Sequence, residues 1–200
     1  MRVIGCMAVV LLVSARLFGQ SERVIKAPDG NILTTFVKDP ETSRMVPTEL
    51  KGVEIEGMQV EGRAAFLGTP FPATDGWLRT FKVKLRNVSG KRVSAIRMTF
   101  ALPDAKYGEA MSSFGFEYGR GLSSTPSSRA DTFPVTFFEP DAETELGLDQ
   151  AQYEHIVNAI GGRTGVTDYK TVLVGVTTVL FEDGTVWFAF KPQLKASTER

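Results

Sequence analysis

The chain has 200 residues, and its 23 Lys and Arg residues balance its 23 Asp and Glu residues. This balance leaves neither a basic stripe for nucleic acid nor a polybasic membrane patch, so neither partner is predicted. One cysteine and one histidine are too few for a disulfide framework or a cluster of thiolate and imidazole ligands, and no metal site or cofactor is predicted.

Residues 1–21 are predicted to be a signal peptide. Arg2 supplies the positive start, and residues 3–13 form an apolar run. Spanning a bilayer takes about 20 residues, so this run is too short for that but suits a signal-peptide core. Cys6 lies inside the run and is lost with it. We therefore expect a secreted or periplasmic mature chain that has no cysteine and no membrane span.

Residues 22–52 are predicted to be an N-terminal arm or linker. The segment is polar, and Pro28, Pro40 and Pro47 interrupt it. Its "APDGN" stretch has turn chemistry, so a short hairpin from Val24 to Val37 is an alternative.

Residues 53–192 are predicted to form one β-sandwich of seven to nine strands, and residues 193–200 a disordered tail. In "FKVKLRN" (81–87) and "AIRMTFAL" (95–102), apolar and polar residues alternate as in half-buried strands. The turn "NVSGK" between them predicts a hairpin over one core. "VEIEGMQVEG" (53–62) and "TFPVTFF" (132–138) are further predicted strands.

The stretch "TTVLFEDGTVWFAF" (177–190) predicts the clearest hairpin. Asp-Gly between alternating runs favours a two-residue type I′ turn with Asp183 and Gly184 at its centre. In that register Val179 lies opposite Phe188, and Leu180 and Trp187 share the outer face. The buried residues are then Val179, Phe181, Val186, Phe188 and Phe190. The Glu182-Asp183 pair falls at the tip, where we interpret it as part of a bend and not as a metal site.

One short helix is predicted before the penultimate strand. Asp149 and Gln152 have the spacing of a capping box, and Gly161-Gly162 is expected to end the helix. The inward stripe consists of Tyr153, Ile156, Val157 and Ile160.

Few residues are candidates for chemistry. His155, the sole histidine, should point from the helix toward water, and neither G-x-S-x-G nor H-E-x-x-H occurs. Asp141, Glu143 and Glu145 alternate as in a calcium loop, but Leu146 and Gln152 stand where an EF-hand needs glycine and glutamate. An exposed acidic approach to the helix explains them more simply. No catalytic residue is predicted.

Aromatic residues are the predicted binding candidates. The long segment 103–131 combines serines with aromatic residues and arginines, and long loops are often functional. Aromatic rings beside arginine suit sugar or protein recognition, although "FGFEY" at period two also fits a strand. The candidate binding residues are Trp77, Tyr107, Tyr118 and Arg120.

Three stretches also carry a resemblance: "DGWLRTFKVKLRNVSGKRVSAIRMTFALP", "FEYG" and "VTTVLFEDGTVW". Together they resemble a pattern of uncharacterised secreted bacterial proteins and immunoglobulin-like domains of FxLYD type. The resemblance spans residues 75–190 and implies an antiparallel, immunoglobulin-like sandwich outside the cytoplasm. It implies no active site, and fold alone does not define function.

The leading hypothesis is therefore an exported, non-catalytic binding or structural module that meets a protein or glycan of the bacterial envelope. A carbohydrate-binding module is the alternative. A hydrolase using clustered carboxylates is the third hypothesis, although no carboxylate pair can be positioned by spacing.

Overall fold

The computed structural model describes residues 20–28, 34–38, 40–119 and 137–190. These residues form twelve strands in two sheets, one α-helix and a short 3-10 helix. The predicted all-β sandwich is confirmed, and its immunoglobulin-like topology stays a prediction. Across the described ranges, no helix has the length and apolar character needed to cross a membrane.

The strands are numbered in chain order. The larger sheet contains β1 (Ser21–Lys26), β2 (Thr34–Lys38), β3 (Met45–Pro47), β6 (Phe71–Ala73), β8 (Val93–Tyr107), β9 (Ala110–Gly119), β11 (Thr171–Phe181) and β12 (Val186–Phe190). The smaller sheet contains β4 (Val53–Val60), β5 (Arg63–Ala65), β7 (Lys82–Asn87) and β10 (Glu143–Gly147). Residues 53–192, for which seven to nine strands were predicted, contain nine of them, β4 to β12, and the other three, β1 to β3, lie in the segment predicted as an arm or linker.

Strand β11 organises the larger sheet. One of its edges pairs with β8, which in turn pairs with β9. Along its other edge, the beginning of β11 pairs with β1 and the end of β11 pairs with β12, so the sheet forks into two branches there. The β1–β11 pair is parallel, which corrects the purely antiparallel prediction. A parallel pair needs a long connection, and most of the chain lies between these two strands.

The smaller sheet has the order β10-β7-β4-β5. Strands β7 and β8 therefore lie in different sheets, and the hairpin predicted between them is wrong. Their apolar residues still cover one core, because the link at residues 88–92 carries the chain from one layer to the other. Alternation identifies the buried face of a strand but not its neighbour.

A series of aromatic rings crosses the core. Trp77 packs edge-on against Phe71 and Phe81, with ring centroids 5.4 and 5.9 Å apart. Phe81 meets Phe100 in the same way at 5.7 Å, and Phe100 stacks on Phe114 at 5.0 Å. Such ring pairs add stabilisation beyond the area they bury, and this series joins the two layers.

The segment predicted as an arm is part of the larger sheet. Strand β1 lies between β11 and β6, and β2 and β3 extend the sheet beyond β12. Ile25 and Arg23 are fully buried. The Arg23 guanidinium donates to the carboxylates of Asp168 (2.7 Å) and Asp75 (2.9 Å). The polar composition of the segment suggested an arm. That prediction failed because the residues that compensate the charge of Arg23 are distant in sequence.

The hairpin of residues 177–190 forms with a longer loop than predicted. The Gly184 N–H donates to the Phe181 carbonyl (3.1 Å), and the Phe181 N–H donates to the Thr185 carbonyl (2.9 Å). Within this loop only Gly184 has a positive φ, 80°. A type I′ turn needs positive φ at both central residues, whereas a three-residue loop needs it once.

The longer loop shifts the predicted register by one residue. Trp187 instead of Phe188 lies opposite Val179. Trp187 and Ala189 are buried, and Phe188 is half-buried, so the predicted buried face of β12 is wrong. The side chain of Phe190 lies outside the described part of the chain.

Helix α1 (Gln150–Thr164) begins at the predicted capping box. An Asp149 carboxylate oxygen accepts from the Gln152 N–H (2.7 Å), and the Gln152 side chain accepts from the Asp149 N–H (2.9 Å). The helix continues through Gly161-Gly162, the predicted stop, to Gly165 at φ 71°. Glycine inside a helix costs only about 1 kcal/mol, so it weakens a helix without ending it. The helix precedes the penultimate strand, as predicted.

The segment predicted as a long loop is largely a hairpin. Strand β8 runs to Tyr107, and β9 contains the "FGFEY" stretch. Residues 120–131 of that segment, most of the predicted strand 132–138, residues 1–19 of the predicted signal and the predicted tail lie outside the described residues. Ser21, the last residue of the predicted signal, begins β1.

Candidate functional site

An open groove of about 640 Å³ lies between helix α1 and the β8–β9 hairpin. Its strand wall consists of the consecutive residues 110–114, with Tyr107 at the hairpin tip. Its helix wall consists of His155, Ile156, Ala159, Ile160 and Arg163. A groove of this volume falls within the ordinary range for ligand sites.

The helix wall is a narrow stripe along α1. Its members recur about every four residues, so they share one face of the helix. Ile160 is buried and Ile156 is half-buried, and with Phe114 they give the groove an apolar floor. His155 and Arg163 are exposed and form its polar rim.

The strand wall shows that the groove follows the edge of β9. Successive side chains of a strand point to opposite faces of the sheet. Five consecutive residues, 110–114, can therefore line one groove only where it runs along the side of the strand. Within the described residues β9 pairs only with β8, and the groove lies along its other edge.

A bulge in β8 adjoins this groove. Leu102 pairs with Ser112 and Lys106 with Met111, so residues 103–105 are extra residues on β8. Bulges of this kind bend a strand and change the direction of its later residues. Asp104 fixes the bulge, since its carboxylate accepts from the backbone N–H groups of Lys170 (2.8 Å) and Thr171 (2.7 Å).

The mouth of the groove is apolar and exposed. Tyr107 is 69% exposed and Met111 is 43% exposed. Large apolar side chains in contiguous exposed positions often mark interaction sites. The hydroxyls of Ser112 and Ser113 on the neighbouring wall add hydrogen-bonding groups.

The lining of the groove is electrostatically one-sided. Among the described residues that line it, Arg163 is the only permanently charged one and none is a carboxylate. Arg163 makes no ion pair with any residue in the described ranges. Its place in the last turn also suits the helix dipole. The groove therefore favours a ligand that carries negative charge.

The four predicted binding residues do not come together. Trp77 is 1% exposed, and its indole N–H donates to the Tyr169 carbonyl (2.7 Å), so it is a core residue and not a binding platform. Tyr118 is half-buried at the opposite end of the hairpin from Tyr107. Arg120 lies outside the described residues. Of the four, only Tyr107 lines the groove.

Sequence reasoning missed the helix wall. His155 was correctly expected to be exposed, but nothing in the sequence places it opposite β9. Ala159 and Arg163 carry no signal of their own. The groove depends on where α1 crosses the sheet, which the helix pattern does not specify.

The middle of the acidic run at residues 141–149 is a strand of the smaller sheet, β10, which contains Glu143 and Glu145. Glu143 lies 2.5 Å from Lys84, and Glu145 lies 2.6 Å from Lys82, across the β10–β7 pair. The hydrogen bond from Lys84 holds the pKa of Glu143 below its usual value. A general acid needs the opposite shift to that of Glu143, and both Glu143 and Glu145 are ion-pair partners of lysines.

The Glu182-Asp183 pair lies in the bend, as expected. The Asp183 carboxylate accepts from Lys91 (2.7 Å), and that of Glu182 accepts from Arg92 (2.8 Å). Partial burial raises the pKa of Asp183, but the hydrogen bonds from Lys91 and Thr185 outweigh it and lower the pKa to about 2. In the part of the chain that the structure covers, no three His, Cys, Asp or Glu residues are grouped to hold a metal ion.

A second, shallower cavity of about 440 Å³ lies where the larger sheet forks. Pro28, Gly175 and Trp187 line it, and the Trp187 indole N–H donates to the Leu50 carbonyl (2.8 Å). Nearby Lys51 and Glu54 pair with each other at 3.0 Å. Glu49 also lines this cavity, so the charge along its lining is predominantly acidic, in contrast to the groove along β9.

Comparisons with family models, with curated proteins and with solved structures find no match for this chain.

Proposed function

We propose that the protein is an exported binding module of the bacterial envelope and that the groove between α1 and β9 is its ligand site. The groove itself is the observation that carries this proposal. It combines an apolar floor, a few polar groups and sufficient volume, the usual features of a binding site.

The envelope location is supported by the sequence of residues 1–21, whose apolar core has the length of a secretion signal. The resemblance to FxLYD-type domains of secreted bacterial proteins points the same way. The proposed partner is a protein or a glycan of the envelope.

The proposed role is non-catalytic. Its support is the ion pairing of Glu143 and Glu145, the lowered pKa of Glu143 and the absence of a nucleophile–base motif from the sequence. These contacts disfavour a hydrolase based on Asp141, Glu143 and Glu145.

Two alanines on α1 provide a matched test. Ala159 lines the groove, whereas Ala151 is exposed on the same helix outside it. The purified protein would be screened against random linear peptides and a glycan array, and the binders measured by calorimetry. Ala159→Trp should fill the groove and weaken binding at least about tenfold, a loss of roughly 1.4 kcal/mol. Ala151→Trp should bind like the wild type. Equal binding by both variants would place the site elsewhere.

A carbohydrate-binding module is the second candidate, and the exposure of Tyr107 favours it. A sugar would stack on that ring, so Tyr107→Ala should abolish binding on the glycan array while Met111→Ala keeps it. No glycan signal, or an unchanged signal in Tyr107→Ala, would rule out this version.

A further inference from the structure

We propose that the occupant of the groove is an extended, acidic peptide segment of a partner protein, which adds a strand to the outer edge of β9. This inference depends on the proposed binding function and specifies its ligand class. Addition of a strand to a sheet edge is an established mode of peptide recognition.

The edge of β9 is suited to pairing. In an antiparallel strand, every second residue directs its N–H and C=O groups away from the existing partner. Among the described strands none pairs with that edge. Because residues 110–114 line the groove consecutively, those backbone groups border the same space that a ligand would occupy.

The sequence of β9 carries little protection against pairing. Edge strands are usually blunted by lysine, by proline or by being very short. Strand β9 has ten residues, "AMSSFGFEYG", without lysine or proline, and its one charged residue, Glu117, lies outside the groove. The bulge of this hairpin is on β8, so it leaves the outer edge of β9 regular.

The helix wall supplies side-chain recognition. A peptide strand beside β9 directs alternate side chains toward α1 or away from it. The floor formed by Phe114, Ile156 and Ile160 suits an apolar side chain, and exposed Arg163 suits a carboxylate. Since no acidic residue lines the groove in the described part of the chain, an acidic peptide meets no repulsion from its walls.

These features favour a peptide over a sugar. Trp77 is buried and Tyr118 is half-buried, which leaves Tyr107 as the one exposed ring among the described candidates. A strand edge, by contrast, is available over the full length of the groove wall.

Peptides selected from the random linear library provide the test. The best binder would be synthesised with single backbone N-methyl groups at successive positions, and each version measured by calorimetry. Strand addition predicts loss of affinity at every second position, because only alternate N–H groups face β9. Arg163→Gln should weaken binding about tenfold, whereas Arg44→Gln, on an exposed residue outside the groove, should not.

Four outcomes would overturn the proposal. Loss of affinity without a period of two would exclude strand pairing. Binding of glycans but no peptides, sensitive to Ala159→Trp, would leave the groove as the site but remove the peptide. Slow hydrogen exchange, in the free protein, of those β9 amides that point away from β8 would mean that another segment of the chain already occupies the edge. Peptide binding insensitive to Ala159→Trp would instead contradict the groove itself.

Discussion

Asn87 joins the two layers of the sandwich through one buried amide. Its Nδ2 donates to the carbonyls of Lys91 (2.8 Å), Phe138 (2.9 Å) and Glu139 (3.1 Å). Its Oδ1 accepts from the backbone N–H and the hydroxyl of Ser89. The Asn-Val-Ser sequence is formally a glycosylation sequon, but this amide is fully buried and engaged within the fold.

Asn87→Ala should destabilise the protein by about 2 kcal/mol or more, because it removes every hydrogen bond of this buried amide, including the one to the Phe138 carbonyl and the one from the Ser89 N–H. Asn158→Ala is the matched control, since Asn158 is exposed on α1 and alanine has the higher helix propensity. Urea unfolding would give both free energies. Equal stability of the two variants would show that the Asn87 bonds do not hold the link between the layers.

Asp183 should make stability depend on acid pH. Its pKa falls from 3.8 to about 2 on folding, so the folded state favours the ionised form. The contribution is complete above about pH 4 and disappears as the pH falls through about 2. Because the side chain is half exposed, solvent screening limits the contribution to less than about 1 kcal/mol.

The test compares wild type with Asp183→Asn by urea unfolding at pH 5, 3 and 2. The wild type should be the more stable protein at pH 5, and the difference should shrink steadily through pH 3 to pH 2. A difference that stayed constant over this range would mean that the carboxylate charge is not the cause.

At the scale of elements, helix α1 begins where it does because of the capping box. Asp149→Ala removes the acceptor for the Gln152 N–H and should destabilise the protein by about 1 kcal/mol. Asp149→Ser keeps an acceptor and should stay close to wild type. Thermal and urea unfolding would measure both variants, and an equal loss in the two would argue against capping as the mechanism.

Several elements could be predicted from the sequence because their signals are local. The alternation around Val83 and Met98 identified β7 and β8, and Asp149 with Gln152 identified the helix start. Strand partners could not be predicted, because the same alternation fits a hairpin or two facing layers. The predicted register at Trp187 was wrong for a related reason, because Asp-Gly fits both a two-residue and a three-residue loop.

Burial of charge was the hardest feature to anticipate. An arginine in a polar segment is expected to lie at the surface. Arg23 is instead fully buried, because Asp75 and Asp168 approach it from distant parts of the chain. Local sequence patterns cannot predict ion-pair partners that are so far apart in sequence. The same applies to the groove, whose two walls are separated by the undescribed residues 120–136 and by β10.

At the scale of the whole molecule, the outer edge of strand β9 in the larger sheet lies beside one face of helix α1. Strand β9 lies at a margin of the larger sheet beside α1, and β3 and β6 form its other margins among the described strands. A rigid sandwich that presents such an edge is well suited to hold a ligand without moving, which lowers the entropic cost of binding.

The most direct test of this account is a map of backbone amide shifts when the best binder from the peptide and glycan screens is added. We predict that shifts concentrate in two stretches at once, residues 107–114 and residues 155–163, which are the two walls of the groove. Shifts confined to the sheet fork around Gly175 and Trp187, with both walls unchanged, would contradict it.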